Sequence, residues 1–294
     1  MILSAGLSPA WQHVLLVEDL RSGEVNRIKQ SQWCAAGKVL NVAVALQRLG
    51  ADSRSLTLVG GISGEAIKRG LDDLDTAWVE ASVATRVCTS LIDTSRSIVT
   101  ELVESAGKIE QPELDAFIKT FSREATDASF VVFTGSLPAG TPSTFCRDLM
   151  PLTKARFILD IRGAELTEAL AQRPFMIKPN RSELISTLHR DIHNEDDLLE
   201  VMRGLNQLGA EWVMITDSDK AVYVTSLSEI YRLQPPQVPV VSPIGCGDCM
   251  AAGLATALDQ GRDWPDALRF CVAVAAAKLG SPLPGETELD LAME

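Results

Sequence analysis

Short β-branched or aliphatic runs recur along the chain with amphipathic stretches between them: MILSAGL, SRSLTLVGG, SFVVFTGSLP, ARFILDIRG, PFMIKPN, EWVMITD and AVYVTS. Each has the length of one strand, while segments 42–49, 65–74 and 198–208 carry the 3.6-residue apolar spacing of helices. This alternation predicts βαβ units and an α/β fold with a mostly parallel central sheet flanked by helices. Several runs end in small or polar residues, namely Gly60 and Gly61, Gly135 and Ser136, Asp160, Lys178 with Asn180, and Thr216. Open α/β sheets bind ligands beyond the carboxyl ends of their strands, so these residues are expected to share one crevice. Residues 13–35 and 84–104 break the rhythm: VLLVEDL, EVNRIKQSQW, RVCTSLIDT and SIVTELVES alternate without long helices between them. They predict a small separate sheet, placed to act as a lid that excludes water. With no Gly/Ser linker and no repeat, residues 1–294 read as one domain carrying that elaboration.

Composition supports this class and removes others. Aromatic residues make up only 5% of the 294 while small aliphatics dominate, which suits a sheet covered by Ala- and Leu-rich helices. A net charge of −12 argues against nucleic acid or an anionic membrane as partner, so an anionic ligand must meet locally placed Lys and Arg. MILSAGLSPAW has no basic run, and no uninterrupted stretch of about 18 apolar residues occurs, so a cytoplasmic protein is expected. The six cysteines are expected to be free thiols. Cys246 and Cys249 form a C-x-x-C, and His189 and His193 have i, i+4 spacing, but no second ligand pair completes a zinc site.

The stretch SPIGCGDCMAAGLATALDQG, residues 242–261, concentrates the chemistry. Asp248 in the first turn of a helix serves as a cap and complements the dipole, worth about 0.5–2 kcal/mol. That role leaves Gly245 and Gly247 unexplained. Glycines ahead of a helix start let backbone N–H groups converge on an anion. An anion hole beside a carboxylate is what phosphoryl transfer requires: charge spreads over the transferred oxygens while the attacking hydroxyl gives up its proton, here to Asp248. The usual nucleotide motifs are absent. Gln32 and Val39 interrupt G-x-x-x-x-G-K-[ST] around Gly37-Lys38, and Met250 stands where the third glycine of G-x-G-x-x-G would be.

Taken together, EVNR (24–27), AAGKVLNVA (35–43), VGG (59–61), Thr85-Arg86, TGSLPAG (134–140), ILD (158–160), IKPNRSEL (177–184) and PIGCGDCMAAG (243–253) resemble, in order, the motifs of the ribokinase-like PfkB carbohydrate kinases. The similarity is greatest to their phosphosugar branch, the tagatose-6-phosphate kinases and 1-phosphofructokinases. The resemblance implies a ribokinase-like α/β kinase with a β lid that transfers the γ-phosphoryl group of ATP, with Mg2+, to a hydroxyl of a sugar phosphate. Asp248 would be the general base, and the backbone of Gly245, Cys246 and Gly247 the anion hole. Gln12, Gly37, Lys38, Asn41, Arg86 and Ser136 would hold the phosphosugar. Lys178, Asn180, Glu183, Thr216, Ser218 and Lys278 would serve the nucleotide, with Asn180 and Glu183 placing magnesium through its waters. Two copies are expected to pair through their lids.

Asn180 and Glu183 also fit a plain capping box, and Lys38 a solvated side chain at a helix start, where a cation opposes the dipole. Departures from the family pattern are equally specific. Gln12 stands in place of a usual Asp, Ala36 and Val39 flank Gly37-Lys38 in place of glycines, Ser218 and Ala221 replace glycines, and Lys278 lies near a usual Asn. The expected consequence is an altered sugar pocket and altered nucleotide contacts. The alternatives are a kinase of an unphosphorylated sugar or nucleoside, and a catalytically weak sugar- or nucleotide-binding regulator of the same fold. For the kinase reading, Asp248 is expected to be neither buried nor turned away from a cleft able to hold both reactants.

Overall fold

Strands that are apolar at every position need cover on both faces, and the computed structural model, which describes residues 1–287, supplies it. In chain order the elements are β1 (Ile2–Gly6), β2 (Ala10–Val17), β3 (Gln30–Ala36), α1 (Lys38–Arg48), β4 (Ser53–Val59), α2 (Gly61–Gly70), β5 (Thr76–Glu80), β6 (Val87–Asp93) and β7 (Ile98–Val103). There follow α3 (Gln111–Glu124), β8 (Phe130–Thr134), α4 (Phe145–Leu149), β9 (Arg156–Asp160), α5 (Ala164–Ala169), β10 (Met176–Ile177), α6 (Arg181–Leu188) and α7 (Glu195–Leu208). The chain closes with β11 (Trp212–Ile215), β12 (Val222–Thr225), β13 (Ile230–Leu233), α8 (Cys246–Asp259) and α9 (Trp264–Lys278).

Nine strands form the main sheet in the order β13-β12-β11-β10-β9-β8-β1-β4-β5. The seven from β11 to β5 are parallel, with Ile2 opposite both Ser53 and Phe130. Successive side chains alternate between two core layers. Ile2, Phe130 and Val132 face α1, α8 and α9, whereas Leu3, Val131 and Phe133 face the layer that includes α3 and α7. This is the α/β architecture that the hydrophobic pattern predicts. One difference lies at the edge: AVYVTS, expected to continue the parallel set, runs antiparallel to β11 as β12, because the short loop 216–221 can only return the chain as a hairpin. The helix expected over 65–74 starts and ends earlier, at Gly61–Gly70, with residues 71–73 in a turn.

A second sheet, ordered β3-β2-β6-β7, is built from the two stretches that break the rhythm. Its strands begin slightly before residue 13 and end at Ala36 and Val103, while residues 18–29 carry no strand. Val14 and Ile92 on one face of this sheet pack against Leu283 from the loop after α9. Small residues set the depth of α8: Ala251, Ala252 and Ala255 are buried, and a Cβ added at Gly253 would lie 3.1 Å from the Cys271 Cα of α9. The amino end of α8 is thereby planted under the strand ends.

Gly37 joins the small sheet to α1. Its φ is +89°, and a Cβ there would meet the Ser8 carbonyl oxygen and the Pro9 Cα, each at 2.9 Å. Gly37→Ala therefore combines an unfavourable backbone region with a backbone clash and is expected to destabilise the fold by about 2 kcal/mol or more. The check is the midpoint of urea unfolding, which should fall with no change in m-value.

Candidate active site

A cleft of about 980 Å³ lies between the carboxyl ends of the parallel strands and one face of the small sheet. Gly135, Asp160, Lys178 and Thr216 enter it from the strand ends, Gln12, Cys88 and Glu101 from the small sheet, and Gly245 to Asp248 from the start of α8. Fifteen of the sixteen residues singled out from the sequence line this one space: Gln12, Gly37, Lys38, Asn41, Arg86, Ser136, Lys178, Asn180, Glu183, Thr216, Ser218, Gly245, Cys246, Gly247 and Asp248. Lys278 does not. It is wholly buried, and its Nζ donates to the carbonyls of Ser242 at 2.9 Å and Ser281 at 2.8 Å. Its work is to tie the end of α9 to the loop leading into α8, because a buried ammonium must be satisfied by the acceptors around it.

Against the expectation of an unburied acid, Asp248 is buried, at 4% exposure, because Asn41 and the walls of the cleft close around it; it still lines the floor of the cleft. Asn41 Nδ2 donates to its Oδ2 at 2.7 Å. Burial, reinforced by the charge of Asp160, pushes its pKa up to about 7 against the opposing pull of Lys38 and Asn41. The Asn41 Oδ1 is also buried and has no hydrogen-bond partner among the described residues, which leaves an acceptor beside the carboxylate. Gly245 caps α8 with φ +87°, a left-handed conformation that favours glycine. A Cβ at Gly247 would sit 3.2 Å from Lys178 Nζ, so an ammonium hangs directly over the helix start. Of the three backbone groups in this turn, the Cys246 N–H is already spent, donating to the Pro243 carbonyl at 3.2 Å; those of Gly245 and Gly247 have no such loop partner among the described residues. Burial pushes the Cys246 thiol up to about 11, so its sulfur is neutral and not a nucleophile.

Lys38 is not a solvated side chain. Its Nζ donates to Asp160 Oδ1 at 3.0 Å and Glu183 Oε1 at 3.1 Å, while Lys178 pairs with Asp160 Oδ2 at 3.3 Å. Burial works against the charge of Asp160, but Lys178 and Lys38 outweigh it and hold the acid below the usual carboxylate range. Burial likewise opposes the Lys38 ammonium, and Asp160, Asp248 and Glu183 more than compensate, keeping it above the ordinary lysine value. Asp160 was legible only as a polar strand end; its grip on both lysines required the fold.

Asn180 and Glu183 form the reciprocal capping box: the Glu183 N–H donates to Asn180 Oδ1 at 2.8 Å and the Asn180 N–H to Glu183 Oε2 at 3.0 Å. The remaining Glu183 oxygen, Oε1, faces the cleft. Among the described residues no group of three His, Cys, Asp or Glu converges as a metal cage. A carboxylate oxygen that already shares Lys38 fits a magnesium ion held at a distance, through its own waters and a ligand's phosphates, and not by direct ligation.

At the small-sheet end, Arg86 donates through Nε to Pro9 O, through Nη1 to Glu104 O and through Nη2 to Ser8 O, at 3.1–3.3 Å. Three of its five N–H groups are thus committed and two remain. Gln12 is buried and donates to Ser90 Oγ at 2.7 Å. Ser136 Oγ lies 3.5 Å from Ser8 Oγ. Ala36 lines the cleft, but the Val39 side chain, expected to crowd the sugar pocket, packs with Leu40, Val59 and Ile67 beneath α1. The pocket change expected from Val39 is therefore absent. At the other end Ser218 adopts φ +55°, the left-handed region that explains why glycine is usual there. Residues 235–238 and 240, in the irregular segment after β13, close this end of the cleft; nothing in their apolar pattern marked them.

Known proteins share this fold and sequence pattern. A model of the pfkB family carbohydrate kinases matches residues 5–290. Phosphofructokinase-2 from Escherichia coli, solved with substrates and products, superposes with a TM-score of 0.92 at 22% identity over 99% of this chain and 97% of that one. A possible 1-phosphofructokinase from Thermotoga maritima gives 0.91 at 21% identity over 100% and 96%. Ribokinase from Thermotoga maritima gives 0.80 at 16% over 100% and 98%. The solved structures establish the ribokinase-like fold, and the family match establishes the activity class: the chain belongs to the pfkB family of carbohydrate kinases.

Proposed function

We propose that this sugar kinase transfers the γ-phosphoryl group of ATP to a hydroxyl of a ketohexose phosphate of the fructose 1-phosphate or tagatose 6-phosphate type, with Asp248 as general base. The observation that carries this reading is the floor of the cleft. There a carboxylate, an orphaned Asn41 carbonyl, the Gly245–Gly247 turn and the Lys178 ammonium share one spot. An alcohol entering there finds an acceptor for its hydrogen, and the transferring group finds backbone N–H donors and a cation.

The two buried acids divide the labour. Asp160, clamped by two ammoniums, stays ionised, whereas Asp248 is basic enough to take a proton near neutral pH. Thr216 and Ser218 hold the nucleotide, Lys178 meets its phosphates, and Asn180 with Glu183 Oε1 places magnesium through water. Bound magnesium would neutralise charge on the β- and γ-phosphates. Gly37, Lys38, Asn41, Ser136 and Arg86 hold the sugar phosphate, with the two uncommitted Arg86 N–H groups offered to phosphate oxygens. The small sheet acts as a lid over the reactants, and two copies pair through it. A second reading, a kinase of an unphosphorylated sugar, is favoured by one observation: Arg86 is already engaged with three carbonyls.

The deciding assay is ADP release across fructose 1-phosphate, fructose 6-phosphate, tagatose 6-phosphate and the free sugars. Asp248→Asn should lower kcat on the order of 10²-fold or more; retained turnover would remove Asp248 from the chemistry. Arg86→Ala should abolish the preference for phosphorylated over free sugar, and unchanged kinetics would favour the second reading. The wild-type pH profile gives a further check. Because the base must be unprotonated and its pKa is raised to about 7, kcat/KM should fall about tenfold per unit as pH drops below 7 and level off above it. The same raised value, against 3.8 ordinarily, means the folded state holds this proton more tightly. The stability it contributes is full below pH 4 and is lost as pH rises through about 7, by an amount that Asp248→Asn should remove from the melting-temperature profile.

A further inference from the structure

The cleft face of the small sheet carries a carboxylate with no part in the proposed phosphoryl transfer. Glu101, on β7, lines the cleft, and no hydrogen bond or ion pair engages its side chain among the described residues. The other acids lining the cavity lie outside the small sheet: Asp160 and Glu183 are paired with Lys38, Asp248 is bonded to Asn41, and Asp219 sits in the loop before β12. Glu101 is directly opposite Ser90 in the β6–β7 register, and side chains so placed share a face with Cβ atoms about 5 Å apart. Ser90 in turn accepts from Gln12 Nε2. Gln12, Ser90 and Glu101 therefore make one polar strip across three adjacent strands, in which the amide has spent its donor end sideways and Glu101 alone is charged. Partial desolvation raises the pKa of Glu101, while the nearby Arg86 works in the opposite direction.

We propose that Glu101 is a specificity-determining residue for the acceptor sugar, its carboxylate receiving sugar hydroxyls from the small sheet and supplying the anionic acceptor that the neutral side chain at position 12 does not. This rests on the sugar-kinase reading above and names the part of the sugar it recognises. Glu101 is exposed in the open cleft; a bound sugar displaces its water, and a carboxylate then left without a donor is costly, so it discriminates strongly against a ligand with no hydroxyl to offer there. The same negative charge repels a phosphate placed at that point, which fixes the orientation of a sugar phosphate and selects between isomers.

The test measures KM and kcat for fructose 1-phosphate, fructose 6-phosphate and tagatose 6-phosphate, KM for ATP, and sugar-phosphate affinity by calorimetry without nucleotide. Glu101→Ala should weaken binding of the preferred sugar phosphate about 10- to 100-fold and shrink the preference among the three, with KM for ATP within twofold. Gln12→Asp added to Glu101→Ala should recover at least part of the lost affinity. Glu101→Gln, which keeps the shape, should move sugar affinity in the same direction and serves if the alanine variant melts early. Wild-type affinity and selectivity in both Glu101 variants would overturn the proposal, as would a loss confined to ATP. If the wild-type chain binds and turns over none of the sugars, the kinase reading falls with it; if the wild type is active and Glu101 is silent, only this inference falls.

Discussion

Five ionisable groups gathered at the floor of one cleft, three of them (Asp160, Lys178 and Asp248) buried, set the terms for the rest of the molecule. Lys38 bridges Asp160 and Glu183, Lys178 takes the other oxygen of Asp160, and Asp248 lies within the field of all of them. Removing such charges from water costs more than any one ion pair returns, so the set is tolerable only where geometry is held on every side. The parallel sheet does this by bringing the ends of β9 and β10 next to each other, with Ile158 opposite Met176 and Leu159 opposite Ile177. Helix α8 does it from below, seated by its small residues, while Lys278 ties α9 to the loop that leads into α8. The outcome is asymmetric: two ammoniums serve Asp160, and Asp248 is left with an amide. That imbalance separates the two acids chemically.

The architecture was legible because apolar runs with no polar alternation admit few interpretations. Ile2 to Ala5 had to be covered on both sides, and the two stretches that broke the pattern had to form something else. The glycine at position 245 was similarly informative: its φ is positive, and a Cβ there would crowd the Gly285 backbone nitrogen at 3.1 Å. What stayed hidden depended on partners distant in sequence. Lys38 and Glu183 are 145 residues apart, so no local spacing could show that one neutralises the other. Val39 sits next to Lys38 yet faces the opposite way, since consecutive residues in a helix point about 100° apart. Lys278 carries a charge that suits a phosphate, but its position on the last turn of α9 turns it toward carbonyls. The direction of β12 was set by loop length and not by the strand's own composition.

The opposition between structural and functional readings of a residue dissolves on inspection of individual atoms. In Glu183 the capping box consumes Oε2 and thereby fixes the rotation of the carboxylate, so that Oε1 meets the Lys38 ammonium at the wall of the cleft. Asn41 spends its amide N–H on Asp248 and keeps a buried carbonyl oxygen that has no partner among the described residues. Arg86 locks its orientation with three carbonyls and retains two N–H groups, and Gln12 holds Ser90 with one end of its amide. Each side chain is multivalent, and the bonds it makes to the fold are what aim the atoms it leaves free. A cap or core polar contact at such a position is therefore no argument against a role in binding. It removes the rotational freedom that a lone polar group would otherwise lose when a ligand arrives, which is the physical content of preorganisation.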